Sequence, residues 1–284
     1  RTERLYIRKL TMRDAADKQL GGGTEHLLFQ LANPLRLAVA PAQGALRVSV
    51  EDGAGASFSG HLEAGNQRRP ISLTPAASKA AVEFNLPGSG ADAIAGPFNL
   101  IANSGGMVAQ IPQVKFHPIV VTNYKASLDG DAKVAATAAI TEAAAPGENA
   151  PYSRSFALDY EFGEGWRFVR CVTGSEVRFE TRPKAIGVWV FGNKSGNSLR
   201  LRLRDTSGQT FQLTGPNLNW TGWQWVTFGL EHLGDAGHWG GANDGVAKGA
   251  LTLDTALLLD GTQRKTAGRI YFAGLTAVYL NWKL

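Results

Sequence analysis

The chain has 284 residues, 29 Lys and Arg against 24 Asp and Glu for a net charge of +5, and 44% hydrophobic residues. Its apolar content excludes disorder, its single cysteine, Cys171, excludes a disulfide scaffold, and no apolar run of about 18 residues is present to span a bilayer. The length suits two modules of roughly 100–200 residues, each large enough to bury its own core.

Base is evenly spread: residues 1–118 hold 12 basic and 9 acidic side chains, and residues 119–284 hold 17 and 15. Neither half has the concentrated positive field of a nucleic-acid binder, so no nucleic acid is expected as a partner. The seven Trp (166, 189, 220, 223, 225, 239 and 282) all fall in the second half, so the halves read as two different modules. The chain opens on Arg1 with no apolar signal segment, as a processed product or a piece of a longer protein would.

Residues 11–20, TMRDAADKQL, look helical but end in GGG, which limits them to a surface turn or an entry segment. From there to about residue 118, LRLAVA (35–40), ALRVSVE (45–51), AAVEFNL (80–86) and GPFNLIA (96–102) alternate with period two, as half-buried strands do. Turn signals such as PAQG, EDGAG and NSGG separate them, and the expected architecture for 1–118 is an immunoglobulin-like β-sandwich. The boundary falls at FHPIVV, and KVAATAAI reads as part of the opening strands of the second module.

Beyond it, SFALDYEF (155–162), WRFVRCV (166–172), EVRFE (176–180), AIGVWVFG (185–192), LRLRLRD (199–205), TFQLT (210–214), WQWVTFGL (223–230) and GRIYFAGLTAVYL (268–280) are nearly all β-formers. Eight or more strands, rich in Trp and Gly, make residues 119–284 a β-jelly roll in an all-β protein. The WTGWQW cluster puts Trp223 and Trp225 on one strand face, which is expected to be the sandwich core.

The ordered set GVWVFGNKSGNSLRLRLRD, WTGWQW and GRIYFAGL resembles the galactose-binding-like β-jelly-roll modules appended to bacterial secreted carbohydrate-active enzymes and cell-surface proteins. The resemblance covers residues 119–284. It implies a secreted or cell-surface protein that binds a polysaccharide or oligosaccharide without catalysis, or supports a covalently linked catalytic domain in a longer parent chain. The rival classes are a cell-surface structural or adhesion protein and a polysaccharide-degrading enzyme. Calcium-binding members often place an acidic residue soon after I-Y-F, where this chain has Ala273 and Gly274.

Candidate site residues follow from side-chain chemistry. Arg200, Arg202 and Arg204 alternate with leucines, so three guanidiniums share a sheet face where they can bond sugar hydroxyls, or else pair with Glu176, Glu180 or Asp205. The segment 231–245, EHLGDAGHWGGANDG, reads as a long rim loop offering Trp239 for stacking and Asn243 for hydrogen bonds, with Trp189 a second stacking residue. No cofactor is expected beyond a structural calcium, for which Asp129, Asp131, Asp159 and Glu161 are the candidate ligands.

No HExxH, GxSxG, P-loop or CxxC occurs, and the five His (26, 61, 117, 232 and 238) are scattered. Asp159 and Glu161 share a strand face, the minimum for glycoside hydrolysis, but they sit at a strand end where solvated carboxylates are common. A catalytic centre is therefore not the expectation for this chain.

Overall fold

The structure, a computed structural model, describes residues 33–85 and 93–280. The 11–20 segment, His26 and Trp282 lie outside the described residues.

The first alternating runs form β1 (Leu35–Ala42) and β2 (Ala45–Asp52). They are joined at Gly44, whose φ of 71° a residue with a Cβ adopts only at a cost. Then follow β3 (Phe58–Ala64), β4 (Gln67–Leu73), β5 (Lys79–Asn85), β6 (Ala93–Ala95), β7 (Phe98–Ala102), β8 (Met107–Ile111) and β9 (Val114–Pro118). Antiparallel pairing gives one sheet of order β1-β2-β5 and a second of order β4-β3-β7-β8. Alternate residues close a sandwich core between them: Leu46, Val48 and Val50 from one sheet meet Leu62, Ile71 and Leu100 from the other.

The second module contributes β10 (Tyr124–Gly130), β11 (Ala136–Ala144), β12 (Arg154–Phe162), β13 (Arg167–Thr173), β14 (Arg178–Phe179), β15 (Ala185–Asn193), β16 (Ser198–Arg204), β17 (Thr210–Asn217), β18 (Thr221–Gly229), β19 (Gly237–Trp239), β20 (Leu251–Asp260) and β21 (Thr266–Leu280). They form a jelly roll of two sheets, β10-β13-β20-β16-β17-β19 and β11-β12-β21-β15-β18. Leu199, Leu201 and Leu203 are fully buried between the sheets. Each contributes about 1.5–3 kcal/mol of hydrophobic stabilisation. Cys171 is sealed in this core, and burial pushes its thiol far above the usual range, so it is no nucleophile.

The jelly-roll core contains Ile186, Val188, Val190, Val226 and Phe228 but none of Trp189, Trp223 and Trp225. The expectation that Trp223 and Trp225 fill the core is therefore corrected, while Trp220 packs against it. Valines of β15 and β18 take the inward positions, and the period-two alternation turns Trp189, Trp223 and Trp225 to the outer face of that sheet.

That outer face is covered by the first module. Gln43 N–H donates to the Pro151 carbonyl at 2.9 Å, Ser153 N–H donates to Gln43 Oε1 at 2.9 Å, and an Arg47 guanidinium N–H donates to the Asn149 carbonyl at 3.3 Å. A strand bridges the two cores as well: β9, whose Val114 and Phe116 lie in the first core, pairs with the far end of β21, Phe116 opposite Val278, so the jelly-roll sheet reaches both hydrophobic clusters.

Candidate functional site

With its leucines inward, β16 turns Arg200, Arg202 and Arg204 to the outer face of the β10-β13-β20-β16-β17-β19 sheet. Neighbouring strands answer with carboxylates. Arg200 pairs with Asp260 at 3.0 Å and Arg204 with Asp254 at 2.7 Å. Arg202 lies 3.7 Å from Asp129, and Arg170 of β13 bridges Asp129 at 3.4 Å and Asp254 at 3.5 Å. The expected partners Glu176, Glu180 and Asp205 are not used. Glu180 pairs instead with Arg178, and Asp205 is committed to a loop. Four guanidiniums thus meet three carboxylates, and the face is a nearly neutral hydrogen-bonding network rather than a cationic ladder.

Two aromatic rings enclose its centre. The Arg202 guanidinium lies 5.1 Å from the Phe168 ring centroid on one side and 5.0 Å from that of Trp239 on the other. Its Nε–H donates to Gln212 Oε1 at 2.9 Å. Burial, then the nearby Arg170, pull its pKa below the usual arginine value, while Asp129 and Asp254 oppose the change. A guanidinium still remains charged throughout the physiological range.

Trp166 extends the strip. Two residues before Phe168, and so on the same face, it packs against that ring at 5.8 Å and is 58% exposed. Trp239 is 42% exposed at the other end. From β13 to β19 is four strand spacings, about 19 Å at roughly 4.8 Å each. The sequence pattern did not single out Trp166; its signal is the i, i+2 relation to Phe168 behind the turn GEG.

The 231–245 segment is less irregular than expected. Leu233–Asp235 form a 3-10 turn, and β19 pairs with β17, Trp239 opposite Thr210. Behind Trp239, Asp205 and Gln209 act as a clasp. The 6%-exposed Asp205 accepts hydrogen bonds from Ser207 N–H, Ser207 O–H, Gln209 N–H and Lys248 N–H. Gln209 accepts from Gly245 N–H and donates to the Val246 carbonyl. Asn243 sits at the exposed tip with φ 50°, its N–H turned back to the Gly240 carbonyl. Trp239 is therefore a pre-positioned platform, not a side chain on a loose loop.

The other candidates fall elsewhere. Trp189, expected as a stacking residue, is 5% exposed, so its ring is not open to a ligand in the way Trp239 is. It lies on the opposite sheet, under the first module. The four candidate calcium ligands do not converge. Asp129 and Asp131 lie at the end of β10, with Asp129 facing Arg170 and Arg202 and Asp131 Oδ1 accepting from Lys133 N–H. Asp159 and Glu161 lie on β12 of the other sheet, where Asp159 holds Arg269 through two hydrogen bonds of 2.6 and 2.8 Å. Among the described residues no group of three His, Cys, Asp or Glu is placed to hold a metal. The Arg269 bonds also keep Asp159 ionised, below the usual carboxylate pKa, which suits a structural ion pair rather than a proton donor.

The class of protein this defines is an all-β, two-sandwich chain whose jelly roll carries an aromatic and polar strip on one sheet. No family model matches the chain, and no curated protein matches it significantly. Among solved structures it is similar to one from a study of the promiscuous specificity of carbohydrate-binding modules of the β-sandwich superfamily. There it shows a TM-score of 0.36 and 9% identity over 85% of this chain and 96% of that one. A likeness that remote carries nothing over to this chain.

Proposed function

We propose that the protein is a non-catalytic carbohydrate-binding protein whose jelly roll holds a neutral polysaccharide or oligosaccharide along the strip from Trp166 to Trp239. The observation that supports this most is Arg202 held between Phe168 and Trp239, with Gln212, Asp129 and Asp254 around it. Sugar rings present apolar C–H faces to indoles and hydroxyl edges to fixed polar groups, and this strip supplies both in alternation. The near balance of four guanidiniums and three carboxylates favours hydroxyls over an acidic glycan on this face.

The protein is further proposed to be an accessory region of an extracytoplasmic carbohydrate-active enzyme, secreted or at the cell surface, working beside a linked catalytic domain. Among the described residues no helix is long and apolar enough to cross a membrane. The shared β9–β21 pairing suits a rigid spacer role alongside binding. Isothermal titration of the whole chain against neutral β-glucan, xylan, galactan and mannan oligosaccharides tests the proposal. Heat of binding with at least one, lost in Trp239→Ala, is the expected result; no heat with any of them overturns it.

A further inference from the structure

A second concavity lies where the two sandwiches meet, a cleft of about 430 Å³. One wall is the outer face of the β1-β2-β5 sheet. Between Arg47 and Lys79 the residues there are short, Ala38, Ala40, Ser49 and Ala81, and they leave space that larger side chains would fill. The facing wall is the indole surface of β15 and β18. Small residues opposite large rings leave a slot, as an interface built only for packing would not.

The rings are held in place by their own N–H groups. Trp189 donates to the Pro41 carbonyl and Trp223 to the Pro146 carbonyl, each at 2.7 Å, and Trp220 donates to the Val190 carbonyl at 3.4 Å. Trp225 differs. It packs against Trp189 at 5.7 Å and lies over Gly187, yet its N–H has no hydrogen-bond partner among the described residues and is not sealed from solvent. It is a free donor inside an aromatic slot.

Charge identifies the occupant. Arg47 and Lys79 line the cleft, and no carboxylate does. Arg47 is steadied by Glu83 at 2.9 Å and lies 5.4 Å over the Trp189 ring. Lys79, exposed at the start of β5, has no partner among the described residues. Arg47 is neutralised by its pairing with Glu83, and Lys79, opposite Glu51 in the strand register but in no ion pair with it, is the charge the slot leaves uncompensated.

We propose that the cleft is a second binding site, for an anionic pyranose of an acidic oligosaccharide. The sugar ring packs on the half-buried indoles of Trp223 and Trp225, its carboxylate or sulfate meets Lys79, and a ring or hydroxyl oxygen accepts from the Trp225 N–H. The proposal does not depend on the Trp166–Trp239 strip, because it uses the opposite sheet and the first module.

The test is calorimetric titration of the whole chain carrying Trp239→Ala, which silences the strip, with tetragalacturonate, a sulfated galactan tetrasaccharide and neutral galactotetraose. The expected result is binding of at least one anionic probe, without binding of the neutral one. Adding Lys79→Glu should weaken that binding by about tenfold or more through loss of a charge-assisted hydrogen bond. Lys79 is exposed, so circular dichroism should show an intact fold, and Trp225→Phe should reproduce part of the loss by removing the free N–H alone. No binding of either anion, or equal affinity with and without Lys79→Glu, overturns the proposal. Loss of neutral-sugar binding in Trp239→Ala alone speaks only to the strip.

Discussion

The indole N–H of Trp189 donates to the carbonyl of Pro41 at 2.7 Å, joining residues 148 positions apart across the boundary between the two sandwiches. The bond is buried, and Arg47 of the first module lies over the same ring. Trp189 is thus a fastening between modules, and it sets the spacing of the cleft beside it.

Replacing that indole by a ring without a donor tests its structural weight. Trp189→Phe leaves the Pro41 carbonyl buried and unpaired, at a cost of about 1–3 kcal/mol. Scanning calorimetry should show a Tm lower by roughly 2–8 °C. An unchanged melt would mean that the bond contributes no net stability.

Trp166→Ala and Trp239→Ala address the strip. Trp166 is 58% and Trp239 42% exposed, so each variant should keep its stability to within about 1 kcal/mol. Trp166→Ala should weaken binding of a neutral oligosaccharide by about three- to tenfold, the stacking contribution of one aromatic ring, whereas Trp239→Ala, which also uncovers Arg202, should abolish detectable binding. Titration calorimetry reads both; full affinity in both variants would remove the strip from consideration.

Gly187 is required by its neighbour. A Cβ there would lie 2.1 Å from the Trp225 ring, and Gly187 follows the alternation that puts Trp189 on the same face. Gly187→Ala should displace the Trp225 indole, shift the tryptophan emission to longer wavelength and destabilise the fold by about 1–3 kcal/mol. Unaltered emission and stability would show that the ring does not rest there.

Asp205 carries a pH dependence. Burial, its largest single influence, opposes ionisation, but the Ser207 hydroxyl and the N–H groups of Lys248, Gln209 and Ser207 together outweigh it and lower the pKa. With the folded value below the unfolded one near 3.9, its stabilisation is present above about pH 4 and is lost as the pH falls through the folded value. Asp205→Asn should therefore be less stable at neutral pH and should show a flatter acid limb in denaturant titrations from about pH 5 to 2. It should also loosen the clasp behind Trp239, lowering glycan affinity without touching the strip. An acid limb identical to that of the parent chain would assign the dependence to other carboxylates.

Much of the fold is legible in local patterns. The strands from LRLAVA to GRIYFAGL form where period-two alternation and intervening Gly, Asn and Asp turns place them, because side-chain alternation and turn chemistry are properties of neighbouring residues. Strand β20 is the instructive omission. LTLDTALLLD lacks clean alternation because it is central and covered on both faces: Leu257 and Leu259 face the core, while the outward Leu258 is only 1% exposed between Arg170 and Arg200. Trp239, expected on a rim loop, lies instead on the edge strand β19, and Trp166, Phe168 and the carboxylates of β10 and β20 join it only through pairings distant in sequence.

From the sequence alone follow the all-β class, the separation of leucines and arginines onto opposite faces of β16, and the gathering of tryptophans in the second half. Only the tertiary structure decides that Asp129, Asp254 and Asp260 neutralise those arginines and that Trp189, Trp223 and Trp225 face the first module rather than the jelly-roll core. The physical reason is common to both. Alternation separates the two faces of a strand, but what covers each face is set by strand order and by contacts between residues more than a hundred positions apart.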